Sequence, residues 1–236
     1  MIIAEIGLNH LGVVSSAYAY IDALAETKVD AITFQVREKD FYKESCNKHF
    51  IFEEKSYDSF SKYVKSKGKL FGIALGDESI IDYFESIDTD FYKVIRSDML
   101  NDELMSGLLS TGKKVYVSTG QASIDQIDEC MHKYSKYDNL ILNHTQLSPN
   151  VEDANLSAIK TLRDIFKARV SYGSHCINPN VLYMSLCYEP ESVLFYVKAC
   201  DLMRYPDSLH AVRLDEVREL CENIIRLKSS VGDGKK

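Results

Sequence analysis

Short apolar runs alternate along this chain with longer stretches in which apolar residues recur every third or fourth position. The runs Ile2–Ile6, Ala31–Val36, Leu70–Leu75, Phe91–Ile95, Lys114–Ser118, Leu140–His144, Arg169–Tyr172 and Val193–Lys198 read as strands, each bounded by polar turns. Helical periodicity fills the intervals, over Ser15–Glu26, Ser56–Ser66, Ser79–Glu85, Asp102–Ser110, Ile124–Lys133, Asn155–Phe166, Asn180–Cys187 and Asp215–Val231. Ser79, Ser123 and Asn155 stand where side-chain oxygens are needed to cap the first amides of three of these helices. Alternation of this kind implies parallel strands joined by right-handed crossovers, and about eight repeats close a (β/α)8 TIM barrel. No Pro-, Gly- or Ser-rich linker interrupts the pattern, so a single α/β domain over residues 1–236 is expected.

In such a barrel every strand ends on the same rim, where the chemistry collects. Polar and ionisable residues do cluster just after the predicted strands: Asn9 and His10; Gln35 and Arg37; Asp77; Arg96 and Asp98; Ser118, Thr119 and Gln121; His144 and Gln146; Ser174 and His175; Lys198, Asp207 and His210. The opposite ends carry little comparable chemistry. Each position also has a plainer reading: Arg37 and Lys198 as solvated rim charges, Ser118-Thr119-Gly120 as a turn entering a helix, His49 and His132 as surface residues. The opening segment Glu5-Ile6-Gly7-Leu8-Asn9-His10 is harder to read as purely structural, because a carboxylate, an amide and an imidazole gather where an apolar strand breaks.

Composition narrows the class. Lys+Arg 28 against Asp+Glu 35 gives a formal net charge of -7, which argues against a general partner of nucleic acid or anionic membrane. No apolar run approaches the roughly 20 residues of a membrane span, and no basic stretch precedes the first apolar segment as in a signal peptide. A cytoplasmic protein is therefore expected. Cysteines 46, 130, 176, 187, 200 and 221 are scattered without paired spacing, which reads as reduced thiols, with Cys130, Cys187, Cys200 and Cys221 as small apolar filler.

Several segments together resemble the barrel domain of the N-acetylneuraminate (sialic acid) synthase family. They are Ala4–His10, Asp30–Gln35, Phe91–Val94, Thr111–Gly120, Glu152–Leu156 with Ala158–Arg163, Pro206-Asp207 and the tail Val231–Lys235. The resemblance implies condensation of phosphoenolpyruvate with an N-acylated hexosamine-type sugar to give a nonulosonic acid. It makes Glu5 the carboxylate that holds sugar hydroxyls, Lys93 and Ser118 phosphate ligands, Asp98 the counterpart of a catalytic-site glutamate, and Asp207 an acid near metal and sugar. It also implies a divalent metal, manganese or magnesium, at His175. Asn9, His10, Thr119, Gln121, His144 and Gln146 join them as candidate substrate contacts. The family's barrel is followed by a small sugar-binding, antifreeze-like domain that contributes to a homodimer; residues 1–236 do not include it, and a homodimer remains a candidate assembly.

The departures from the family pattern bear on the chemistry. Thr33 replaces a lysine, Gly72-Ile73-Ala74-Leu75 replaces a Ser-Thr-Pro-Phe element, Gly173 replaces a serine, Ser148 a tyrosine and Gln146 an asparagine, while the second metal histidine falls on Val197. One imidazole holds a divalent ion poorly without partners. Arg96 and Lys198 are candidates to bring positive charge to an acid substrate instead. Three readings stay open: a sialic-acid-type synthase, a metal-independent barrel enzyme acting on a related sugar or keto acid, and a non-catalytic relative that binds a sugar acid.

Overall fold

The computed structural model describes residues 1–232, with the side chains of Arg96 and Ser97 left outside the description along with residues 233–236. Eight strands pair in parallel in chain order: β1 (Ile2–Gly7), β2 (Ala31–Val36), β3 (Leu70–Leu75), β4 (Phe91–Val94), β5 (Lys114–Ser118), β6 (Leu140–Thr145), β7 (Arg169–Gly173) and β8 (Val193–Lys198). Pairing of β1 with β8, Ile2 opposite Val193 through Glu5 opposite Tyr196, closes the ring. The helices between them are α1 (Val14–Ala25), α2 (Glu54–Ser66), α3 (Ile81–Ser86), α4 (Asp102–Ser110), α5 (Ile124–Lys133), α6 (Ser157–Phe166), α7 (Asn180–Ser185) and α8 (Val217–Lys228). The result is a (β/α)8 TIM barrel, and the two-residue strand β9 (Val212–Arg213) adds a parallel pairing to the end of β8.

Strand parity sorts the chain into two cores. On β1, Ile2, Ala4 and Ile6 face the helices, while Ile3 joins Ala31, Phe91, Tyr116, Ile141 and Leu194 in a plug inside the barrel. Gly72 is needed beside that plug, since a Cβ there would lie 2.3 Å from the Phe91 ring. The outer layer is strongly aromatic around α2, where Phe60 stacks on Phe34 at 5.2 Å and meets Phe52 edge-on at 5.1 Å. Helix α1 shows the pattern behind this layer, burying Ala17, Tyr20, Ile21 and Leu24 on one face.

Two capping expectations change. Ser123 forms a capping box with Gln126 as anticipated, but Ser79 lies inside a 3-10 turn capped by Asp77. Asn155 adopts left-handed geometry ahead of α6 without capping it. The N-terminal ends of the strands are also richer than the sequence reading held: Asp30 accepts from the Ile2 amide at 2.6 Å, Asp90 accepts from the Phe71 amide at 2.8 Å, and Glu191 pairs with Arg169 and Lys114. These groups close strand ends and so serve the fold. Of the cysteines read as filler, Cys130 and Cys221 are buried, whereas Cys187 is exposed and Cys200 half-buried.

Candidate active site at the barrel mouth

The inward parity of the strands decides which polar side chains reach the mouth. Glu5 on β1, Lys93 on β4, Ser118 on β5, Asn143 and Thr145 on β6 and Tyr196 on β8 all follow inward-facing plug residues by two or four positions. His175 follows Gly173 by two, just past β7. All of these but Glu5, which lies beneath on Lys93, line a cavity of about 340 Å³ together with Gln35, Arg37 and Asp207.

Its floor is an ion pair. The Lys93 ammonium donates to Glu5 Oε2 and, at 3.3 Å, to the Tyr196 hydroxyl, over whose ring it sits at 5.0 Å. Both charged side chains are almost fully buried, at 5% and 0% exposed. The other carboxylate oxygen, Glu5 Oε1, is buried without a hydrogen-bond partner among the described residues, as are Thr33 Oγ1 and Asn143 Oδ1. Unsatisfied buried oxygens cost free energy, and a site that holds them has acceptors ready for the hydroxyl or amide hydrogens of a ligand.

One wall is built on the His175 imidazole, with the His210 ring behind it on the side of a neighbouring flank cavity. His175 Nδ1 meets Thr145 Oγ1 at 2.8 Å, and its ring lies 4.6 Å from that of His210 and 5.3 Å from that of Tyr196. His210 Nε2 in turn stands 3.8 Å from Asp207 Oδ1. Burial, with His210 and the Lys93 ammonium nearby, lowers the His175 pKa to about 2; burial, with Lys93 and Lys198, lowers that of His210 to about 4. Both rings are therefore neutral near pH 7.

Asn9 acts as a pin. Its Nδ2 donates to the Val197 carbonyl at 2.8 Å and its Oδ1 accepts from the Asp207 amide at 3.1 Å, tying the end of β1 to β8 and to the loop that carries Asp207. Gly7 permits this close approach: its φ of +56° lies in the left-handed region, and a Cβ would sit 3.2 Å from both Asp207 Oδ2 and Tyr196 Cε1. A register shift between Glu5 and Gly7 turns the strand at this point.

The remaining candidates sit elsewhere. His10 faces the outer layer, its ring 4.3 Å from Phe52 and its Nδ1 accepting from the Gly12 amide at 2.9 Å. His144 also points outward, with Nε2 at 3.0 Å from the Ala154 carbonyl. Lys198 is held by the Ser208 carbonyl at 2.9 Å and by Asp201 at 2.8 Å, and lines a separate flank cavity of about 740 Å³. The charge it was expected to bring to the mouth is thus committed to its own loop. Thr119 is buried against the Asn143 carbonyl, Gln121 is exposed, and Gln146 and Asp98 are half-buried outside the described lining of the mouth. Arg96 opens the 3-10 turn Arg96–Leu100, and its side chain lies outside the described residues.

Three polar mouth residues, Asn143, Thr145 and Tyr196, escaped the sequence reading, and two that it named on the rim, His210 and Arg37, sit differently from a solvated rim. Asn143 and Thr145 flank His144 and were found only by parity; His210 comes from an irregular loop; Arg37, read as a solvated rim charge, is 8% exposed and stacks 4.5 Å from the Phe41 ring. Gly173 explains itself once Asn143 is placed, because a Cβ there would lie 2.6 Å from Asn143 Nδ2. The amide has taken the space in which the family's serine would stand.

The donor set does not fit the divalent metal that the resemblance implies. Val197 is wholly buried in the outer core, and the inward position beside it on β8 belongs to Tyr196, neither a carboxylate nor an imidazole. Among the described residues no three His, Cys, Asp or Glu side chains are grouped to hold an ion, and the Lys93 ammonium acts on both histidines.

Comparison with known proteins fits this geometry. The NeuB family profile matches residues 20–236. The chain belongs to the NeuB family. Its relatives in that family include the N,N'-diacetyllegionaminic acid synthase of Campylobacter jejuni, 22% identical over 99% of this chain and 78% of that protein. A pseudaminic acid synthase of the same species is 25% identical over 99% of this chain and 75% of its own length. A crystal structure of the sialic acid synthetase of Leptospira borgpetersenii in complex with citrate superposes with a TM-score of 0.93 at 28% identity, covering 99% of this chain and 85% of that one. This NeuB-family barrel is accordingly a nonulosonic acid synthase-like protein, and no described helix is long and apolar enough to cross a membrane.

Proposed function

We propose that the chain condenses phosphoenolpyruvate with an N-acylated hexosamine-type aldehyde to form a nonulosonic acid. The observation that carries this reading is Glu5, a buried carboxylate with one oxygen on Lys93 and the other without a partner, at the floor of a mouth lined by cations and small polar groups. Glu5 Oε1 is suited to accept from sugar hydroxyls. Lys93, shared with Glu5, and Arg37, whose Nε and Nη2 bond to Glu38 at 2.8 and 2.7 Å, are the cations on the lining that face the phosphate and carboxylate, with Ser118 as a further donor. The C3 carbon of phosphoenolpyruvate gives its enol electron pair to the aldehyde carbon, and the carbonyl pair moves to oxygen. Water adds at C2; one of its protons balances that taken up by the new hydroxyl, the other leaves with the phosphate as the C2–O bond breaks and the ketone forms. Incubation with phosphoenolpyruvate and N-acetylmannosamine, with and without manganese, is expected to release inorganic phosphate only when both substrates are present. No release with this sugar or with other N-acylated hexosamines would defeat the reading.

The second reading, a Schiff-base enzyme on a keto acid, draws on the burial of the Lys93 amine beside Glu5 and Tyr196. Borohydride trapping with pyruvate tests it: a covalent adduct lost in Lys93→Met supports it, and no adduct removes it.

A further inference from the structure

The mouth has an imidazole wall where the family pattern leads one to expect a metal, and its geometry suits a different way of handling the aldehyde. His175 lines the cavity, and its ring is fixed on three sides: Thr145 Oγ1 at 2.8 Å from Nδ1, the His210 ring at 4.6 Å and the Tyr196 ring at 5.3 Å. His210 does not descend from a strand; it comes from the loop between β8 and β9, and Tyr196 meets it edge-on at 4.8 Å. The inward face of β8 offers a phenol where a second ligand would be needed. The three contacts therefore fix one ring rather than converge on an ion.

We propose that His175 Nε2–H donates a hydrogen bond to the aldehyde oxygen of the sugar and thereby does, in this chain, the polarising that a divalent metal would do. The inference rests on the condensation reading above. In this scheme Thr145 Oγ1, 2.8 Å from Nδ1, is the donor, and the proton of the neutral ring sits on Nε2 of a residue that lines the cavity. A neutral imidazole held this way polarises a carbonyl without being consumed. As the new C–C bond forms, the carbonyl electron pair collects on the oxygen that His175 holds. The proton that oxygen takes up is balanced by the one lost from the water adding at C2, so His175 ends as it began. Thr145 and His210 are positioning residues in this scheme, the first setting the tautomer and the second the tilt of the ring.

The test uses the whole chain stripped of metal with a chelator. Phosphate release from phosphoenolpyruvate and N-acetylmannosamine is expected to survive stripping and to gain nothing from manganese. His175→Gln is expected to lower kcat by about a hundredfold, the usual effect of losing one oxyanion donor, with phosphoenolpyruvate binding by calorimetry unchanged. Thr145→Val is expected to lower kcat with little change in KM, and Thr145→Ser to restore it, which a purely structural role would not produce. Two measurements do not depend on turnover. Equilibrium dialysis with manganese is expected to find no stoichiometric site, and nitrogen NMR of the His175 ring is expected to show the proton on Nε2. A single manganese site abolished in His175→Gln, or a proton on Nδ1, would overturn the inference even if no sugar is turned over. Absence of turnover with those two results intact would count against the condensation reading alone.

Discussion

Replacing Lys93 by methionine leaves Glu5 as a carboxylate buried in the barrel with no cation on it, and the size of the penalty can be worked from the structure. The two side chains are 5% and 0% exposed, so neither charge is repaid by water. Breaking one half of such a pair costs about 3–5 kcal/mol, against about 5–15 kcal/mol for the whole stability of a typical domain. The Tyr196 hydroxyl loses a neighbour at 3.3 Å in the same step. The chain has no tryptophan, so urea unfolding followed by far-ultraviolet circular dichroism is the suitable assay. With a slope of about 3 kcal/mol per molar, Lys93→Met should lower the midpoint by about 1 M or more. The double variant Glu5→Leu, Lys93→Met removes both charges and should recover most of the loss, because an apolar pair of similar volume is often as stable as the ions it replaces. Additive single losses, or a Lys93→Met shift under about 0.3 M, would show that Glu5 reaches solvent and that the floor of the mouth is not closed.

Acid should destabilise the protein through His10, whose pKa is lowered to about 3 chiefly by burial. The unfolded chain takes up that proton near pH 6.5, so stability falls as pH drops from about 6.5 towards 3, by about 3 kcal/mol at pH 4; urea midpoints between pH 7 and 4 should depend less on pH in His10→Gln. Gly173→Ser should cost about 1–3 kcal/mol by driving its Cβ into Asn143, 2.6 Å away, and a second change, Asn143→Ser, should recover most of it in the same unfolding assay. Gly12→Ala combines a φ of +71° with a Cβ 1.7 Å from the His49 carbonyl oxygen, and should lower the thermal midpoint by about 5 °C or more; a smaller fall would mean that the loop carrying His49 yields.

The barrel was readable because each element states its own period. The predicted strands fall within one residue of the observed ones at every end, since runs such as Ala31–Val36 and Val193–Lys198 pass abruptly into polar turns. Caps were read less well: Asp77 and Ser79 are two residues apart and both are good capping types, so only the path of the backbone decides between them. The mouth was legible at Glu5, Lys93, Ser118, His175 and Asp207, where motif and geometry agree. His210 carried no periodic signal, because the loop from Ala199 to Ala211 folds back on the barrel through contacts such as Asn9 to Asp207 that lie 198 positions apart.

Choosing His144 over Asn143, and matching the family's second metal histidine to Val197, share one cause. Both choices asked which residues end a strand, and neither asked which face of the strand they occupy. Successive side chains point to opposite faces, so an error of a single residue moves a group from the mouth to the helix layer. The plug supplies the phase needed to correct this: Ile141 points inward, hence Asn143 and Thr145 do and His144 does not; Leu194 points inward, hence Tyr196 does and Val197 does not, while Lys198 at the strand end turns to its own loop. The same count makes a further variant informative. Val197→His would bury an imidazole among apolar side chains in the outer core and should destabilise the fold without creating a manganese site. Stoichiometric manganese binding gained in that variant would show that β8 turns its other face to the mouth, and the inward assignment of Tyr196 would fall with it.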